Sequence, residues 1–340
     1  MKSNKATKLT AILAGMFFLM LMGFYSAESA GREKFEEKFE RTVKLAKGGH
    51  VSLNNISGSI EVKSWNKAEV KIDALKTSRA SSLSEAKENA AEVKIVVQKE
   101  GNTLRIKTEY PKRRGSRRRR SSVSVHYNLW VPSKASVRID SISGSVEMEN
   151  IGGEVKLDVT SGSVDLKDIG GEVKVKVTSG NVYVKKAAKG VDCENISGKL
   201  ELQDIGGDAY LKTVSGKIKV ERIKGSIEAE TISGGIEMRE VTGAKTVKGK
   251  VLSGSIVYDG DINPNGRYTL HSFSGSIRMF IPSGSGFEFE AKTFSGRITS
   301  DFDITISGKL SKKSISGVVN KGGAYVKLST FSGSIYLRKR

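Results

Sequence analysis

Apolar residues between Val146 and Val241 fall into columns when the sequence is folded at 18 residues. Val146, Val164, Val182, Leu200, Ile218 and Ile236 make one column. Two places on stand Met148, Leu166, Val184, Leu202, Val220 and Met238. Ile151, Ile169, Ala187, Ile205, Ile223 and Val241 make a third. The other half of each unit adds Val155, Val173, Val191, Ala209 and Ile227, then Leu157, Val175, Cys193, Leu211 and Ala229. Within each half-unit apolar and polar residues alternate, which is the period of a strand and not of a helix. A fixed repeat of this length marks stacked structural units. The fold class it predicts is all-β: a single-chain parallel β-solenoid of about 18–21 residues per coil, two main strands in each.

The turns are visible as well. A Ser-Gly pair recurs at 143, 161, 179, 197, 215 and 233, then at 253, 274, 295, 316 and 332. Gly152-Gly153, Gly170-Gly171 and Gly206-Gly207 fall half-way between. Glycine is expected at such corners because it reaches positive φ without a Cβ clash. Each strand should pair in parallel with its counterpart one coil away, and about eleven coils would make a rod roughly 50 Å long. Asp158, Lys176, Glu194, Lys212 and Glu230 alternate in sign down an outward column, as favourable neighbours on adjacent strands do. Side-chain burial within one coil does not offset the entropy of ordering it, so an isolated coil is expected to be unfolded.

Residues 31–140 differ in composition from 141–340, and we divide the chain there. Asn54–Val62 already holds one coil-like unit. Strands are predicted at Val93–Gln98, Thr103–Thr108 and Val123–Val131. A short helix is predicted from Ser82 to Val93, capped by Ser82 or Ser84. This N-terminal β-rich region is expected to lead into the solenoid and cap it, since a bare end would expose strand edges. Towards the other end, Phe273, Phe294 and Phe331 stand just before Ser-Gly, and wider coils there are expected to take them as aromatic core.

Residues 1–30 read as a signal peptide: Lys2, Lys5 and Lys8 precede an apolar run from Leu9 to Tyr25, and small residues follow at Ala27, Ser29 and Ala30. An uncut N-terminal anchor is the alternative. The expected location is the periplasm, the outer envelope or the extracellular space. The single cysteine, Cys193, excludes an intrachain disulfide and thiolate metal clusters, and its column makes it a small buried apolar residue.

The formal net charge is +20, yet residues 141–340 hold 29 basic and 23 acidic side chains. Much of the excess lies in Lys112, Arg113, Arg114, Arg117, Arg118, Arg119 and Arg120. In an exported chain this run is either a solvated loop between two strands or a polyanion-binding site for lipid phosphate, lipopolysaccharide or acidic polysaccharide. Export argues against a nucleic-acid partner. His50, His126 and His271 share no ligand spacing. Asp261-Ile-Asn263-Pro-Asn265-Gly266 resembles half a calcium loop, but Ser272 stands where the glutamate belongs. No metal, cofactor or catalytic residue is predicted. A polysaccharide-acting β-helix enzyme would need grouped acids or bases in a cleft, and short coils without insertions offer none.

Several local patterns carry a resemblance. They are Gly-Gly-His-Val-Ser-Leu-Asn-Asn-Ile-Ser-Gly-Ser-Ile-Glu-Val at 48–62, Tyr127-Asn-Leu-Trp-Val-Pro132, Ile281-Pro-Ser-Gly284, and the closing Gly322-Gly to Ser332-Gly-Ser-Ile-Tyr. In this order, from about Phe35 to the end, the chain resembles the bacterial "putative adhesin" family of exported β-strand-repeat proteins. The resemblance implies a non-enzymatic solenoid at the cell surface or envelope, and it supplies no catalytic residues. Expected partners are surface glycans, anionic lipid or lipopolysaccharide, or envelope proteins. A self-assembling structural scaffold is the second reading, and the polysaccharide-acting enzyme the third.

Overall fold

The computed structural model describes residues 32–111, 122–306, 311 and 313–340. Each coil contributes one strand to each of two long sheets, which hold 14 and 15 strands among the described residues. Val155–Ser161 lies in the larger sheet, the chain turns at Gly162, and Val164–Ile169 returns in the smaller one. A second turn at Gly170-Gly171 leads to Val173–Ser179, which pairs in parallel with Val155–Ser161. The register is the predicted one: Val164 faces Val146 and Val182, and Val182 faces Leu200. All four are buried, as are the other columns, in one core that runs the length of the stack.

The alternation has one regular interruption. Lys167 and Asp168 both fail to enter the core before Ile169 does. Asp168 takes φ +55°, and the same left-handed backbone recurs at Asn150, Lys186, Asp204, Arg222 and Glu240, with φ between +51° and +62°. This step returns the third apolar column to the inside. Positive φ at the half-way turn is thus carried by these residues and not by the Gly-Gly pair, contrary to the sequence expectation. The pair is there for space: a Cβ on Gly171 would fall on the carbonyl of Gly153 in the rung before.

The Ser-Gly corners do need positive φ. From Gly58 to Gly296 their φ values run from +122° to +158°. A Cβ on Gly180 would sit inside the carbonyl oxygen of Gly162, directly beneath it. Two residues before most of the Ser-Gly corners the inward column is polar, with Val159, Val177 and Val251 the apolar exceptions. Asn195 donates to Gly180 O at 2.9 Å, Ser272 to Gly254 O at 2.9 Å, and Thr330 to Gly275 O at 3.0 Å. These side chains give the partly buried corner carbonyls a donor from inside the coil.

Both ends depart from the repeat. At the start, the strands Glu33–Lys44 and Glu69–Ala80 extend the smaller sheet antiparallel. Lys94–Glu100 closes the larger sheet antiparallel to Thr103–Glu109. Helix α1, Leu83–Glu92, packs Ala86 and Ala90 on the first two strands, and its cap is Ser82, whose side chain accepts from Glu85 N. The predicted strands fall within two residues of those observed. Glu33–Lys44 escaped notice because its mostly charged sequence is that of an edge strand, which charge keeps from recruiting another chain.

At the far end the order of the rungs changes. The coil Ala324–Lys339 slots between the coils 267–281 and 287–300. Ser316-Gly317 is not a corner: it lies in Ser314–Val319, which runs antiparallel on Phe287–Ser295 and covers that end. The aromatic core here is Tyr258, Tyr268, Phe287, Phe289 and Phe302. Phe273, Phe294 and Phe331 point outward instead, correcting the sequence expectation. Strand parity explains it: Ser272, Thr293 and Thr330 take the inward place beside the corner, so the next residue must face solvent.

Candidate interaction surface

Two edges run along the stack, and they differ in chemistry. The half-way edge carries the left-handed column, whose side chains alternate in sign from Asp168 through Lys186, Asp204 and Arg222 to Glu240. Arg222 Nε lies 2.7 Å from Asp204 Oδ1, and Lys186 Nζ 3.5 Å from Asp168 Oδ1. Below this rim is an open groove of about 760 Å³, floored by Ile169, Gly170, Ala187, Ala188, Ile205 and Gly206. Small residues at the turn create it. On the other shoulder of the same edge a groove of about 410 Å³ is lined by Lys174, Asp192, Tyr210 and Glu228 among others.

Two of the carboxylates in the first groove, Asp168 and Asp204, pair with Lys186 and Arg222. The Arg222 guanidinium beside Asp204 holds its carboxyl below the usual carboxylate range. Among the described residues the carboxylates with a resolved shift all move the same way, each beside a Lys or Arg. The furthest is Glu290, brought down to about 2 by hydrogen bonds from Lys292, Tyr325 and Lys327. Such groups stay ionised near neutral pH and are poor proton donors.

The Ser-Gly edge is uncharged at its crest and, apart from Thr160 and Thr178, apolar. The residue before each Ser-Gly is Ile56, Ile142, Thr160, Thr178, Ile196, Val214, Ile232, Leu252, Phe273, Phe331 and Phe294, in the order in which the rungs stack. From Ile196 onward each is an exposed large apolar side chain, seven rungs in succession. The three phenylalanines form a stack, with ring centroids 4.9 and 4.7 Å apart and planes within 2° and 4° of parallel. Lys313 Nζ lies 5.6 Å over the outer ring, Phe294. Period-two parity carried this row in the sequence, counted outward from the buried Ser272, Thr293 and Thr330.

Lys112, Arg113, Arg114, Arg117, Arg118, Arg119 and Arg120 lie outside the described residues, as does the 1–30 segment. In sequence the run stands between the strands Thr103–Glu109 and Ser122–Pro132. The histidines stay apart. His126 Nδ1 is 2.9 Å from Ser59 Oγ, His271 Nδ1 is 2.8 Å from Ser329 Oγ, and His50 opens a strand. Asp261 receives Arg340 at 2.7 Å, and Asn263 Oδ1 accepts from Asn265 N, so the calcium-like segment is a turn closed by its own contacts. Cys193 is buried between Val175 and Leu211, and burial pushes its thiol up. Among the described residues no group of three or more His, Cys, Asp or Glu is placed to hold a metal.

The profile of one family, described as Toastrack DUF4097, matches residues 49–263 and again 172–338. The chain belongs to the Toastrack DUF4097 family. The repeated two-strand coil and the two open, largely parallel sheets are thus the Toastrack repeat as this member builds it. Among solved structures it is similar to a "putative cell adhesion protein" from Clostridium sporogenes, at 10% identity over 90% of this chain and 100% of that one, with TM-score 0.27. A "putative adhesin" from Bacteroides fragilis is 13% identical over 88% and 96%, TM-score 0.31. A "putative lipid binding protein" from Parabacteroides distasonis is 14% identical over 89% and 97%, TM-score 0.33. No curated protein matches the chain.

Proposed function

We propose that this Toastrack protein is an exported, non-enzymatic interaction module of the cell surface or envelope, adhesin-like in holding its partner by many weak contacts. The observation that carries this reading is the outward repetition: each rung presents the same positions one strand spacing, about 4.8 Å, from the last. Contacts that are weak singly add up along such a ladder. The pairing of Asp168 with Lys186 and of Asp204 with Arg222 in the groove supports a binding role over acid–base chemistry. Antiparallel strands over both ends speak against open end-to-end assembly. The run from Lys112 to Arg120 would add a charge-based anchor for a polyanion, sensitive to salt.

The test is N-terminal sequencing of the mature protein from fractionated cells, with sedimentation of the purified protein on isolated envelopes. The reading expects an envelope or extracellular protein, starting near Ala30 or Gly31 if the signal is cut, that sediments with envelopes. A cytoplasmic protein, or turnover of any of a panel of acidic polysaccharides, would overturn it. Retention on heparin that survives replacement of Arg117–Arg120 by Ser would remove the anchor.

A further inference from the structure

We infer that the last four rungs of the Ser-Gly edge are a lipid-docking site, on which Leu252, Phe273, Phe331 and Phe294 enter the headgroup region of an anionic phospholipid bilayer. This deepens the interaction-module reading by assigning it one surface and one partner.

Three observations carry it. The first is exposure: Phe294 keeps 64% of its surface, and Leu252, Phe273 and Phe331 keep 45–52%. They stand at a turn of the chain, so the crest is convex and one side chain wide. Such a ridge suits a deformable planar surface better than a second copy of itself, because two convex crests touch along little more than a line.

The second is charge. The four corner stretches 250–257, 271–278, 329–336 and 292–299 contain no Asp or Glu, while Lys250, Arg278, Lys292 and Arg297 lie among them. Lys313 joins them from the neighbouring antiparallel strand. The acid-free zone ends at the rung before, where Glu230 and Glu237 stand at the corresponding corner. The nearest acids stand back from the crest, Glu290 holding Lys292 at 2.9 Å and Glu230 lying in register with Lys250. The crest is thus apolar with Arg278, Arg297 and Lys313 on its flanks and Tyr336 and His271 beside it, the composition of surfaces that rest in a bilayer interface. Cations there are drawn to anionic headgroups.

The third is ring geometry. The stacked rings cover one another's facing sides, Lys313 lies over the outer face of Phe294, and the other face of Phe273 turns along the stack toward the rung of Leu252. Stacking on a sugar or a base needs a free face. What the stack turns outward is ring edges, which are apolar and carry the positive end of the ring quadrupole. Edges suit insertion among acyl chains and headgroup oxygens, so the arrangement favours lipid over glycan.

The site is tested in the full chain with a reporter at the crest, Phe294→Trp, against vesicles of phosphatidylcholine with one quarter phosphatidylglycerol. Trp65 and Trp130 emit as well, so the crest is read as the difference between this variant and the parent chain at equal lipid, which also keeps the N-terminal apolar segment from answering for it. The indole emission should shift to the blue and be quenched by lipids brominated on their acyl chains. Adding Lys250→Glu, Arg297→Glu and Lys313→Glu should raise the lipid concentration for half-maximal shift at least tenfold. Pure phosphatidylcholine should give a comparably weak response.

No shift with anionic vesicles, or an equal shift on pure phosphatidylcholine, overturns the proposal. A shift that grows with protein concentration in the absence of lipid overturns it in favour of self-association, and a shift with free acidic oligosaccharide in favour of a glycan. If the protein sediments with envelopes while the indole stays in water, the docking edge fails and the interaction-module reading stands. An inserting crest in a cytoplasmic protein would fail that reading and leave the edge.

Discussion

The two edges of the rod solve the same problem, turning a chain from one sheet to the other, by opposite means. At the Ser-Gly edge the backbone decides. Each glycine stacks on the glycine below so closely that no side chain fits, and φ between +122° and +158° excludes one besides. At the half-way edge the turning residue is Asn, Asp, Lys, Arg or Glu in a left-handed conformation that L-residues adopt at some cost. There the side chains point out and pair across rungs, as Asp204 and Arg222 do. One edge is closed to substitution and leaves its neighbouring position free to be apolar. The other tolerates variety and spends its exposed positions on charge pairs. The difference teaches where variation can accumulate without loss of the fold: beside the corner glycine, not at it.

Substitutions can break or sharpen this contrast. A burial defect between the edges sets the upper scale. Val175→Asp places an unpaired carboxylate between Leu157 and Cys193, and should cost about 3–5 kcal/mol and melt the surrounding coils. A thermal melt that overlays wild type would place Val175 on the surface.

Smaller effects separate residues within the Ser-Gly edge. Thr231 Oγ1 contacts Gly216 O and Ser233 O, both at 3.3 Å, whereas the buried Thr213 hydroxyl has no partner. Thr231→Val should lose about 1 kcal/mol. Thr213→Val should gain up to about 1 kcal/mol, matching Val177 two rungs away in the same column. Denaturant midpoints read both, and a loss at both positions would contradict the assigned hydrogen bonds.

The half-way edge should respond least. Glu240 has φ +51°, and Glu240→Gly relieves that strain while adding unfolded-state freedom. The expected result is a gain of roughly 0.5 kcal/mol. A loss above about 1 kcal/mol would mean that the left-handed column is held by side-chain contacts rather than merely tolerated.

Much of this was legible in the sequence, because a repeat reports the same environment many times. Five apolar columns gave the core, and the charge alternation at Asp158, Lys176 and Glu194 gave the register, with Lys176 Nζ now 3.0 Å from Glu194 Oε2. What did not show were features in which the period is locally unequal to two. The left-handed step at Asp168 shifts the parity by one, and nothing in the composition of Asn, Asp, Lys, Arg and Glu at that position names a backbone state. The crest was misread for a related reason. Phe273 is what a core would take by composition, and only counting from Ser272 shows that it faces out. The reordering of the last rungs was invisible, since Ser316-Gly317 keeps the motif while its strand runs antiparallel.

The central claim is that the corner glycines are dictated by the rung beneath them and not by turn geometry alone. Gly180→Ala and Gly323→Ala, melted side by side, test it directly. Both glycines have a φ that L-residues avoid, +147° and +129°, but a Cβ at Gly180 falls 2.1 Å from the Gly162 carbonyl oxygen, whereas one at Gly323 comes no nearer than 3.2 Å to any neighbour. The account predicts that Gly323→Ala loses about 1–2 kcal/mol and Gly180→Ala more than about 4 kcal/mol, with the neighbouring coils unfolding. Equal losses at the two positions would contradict it.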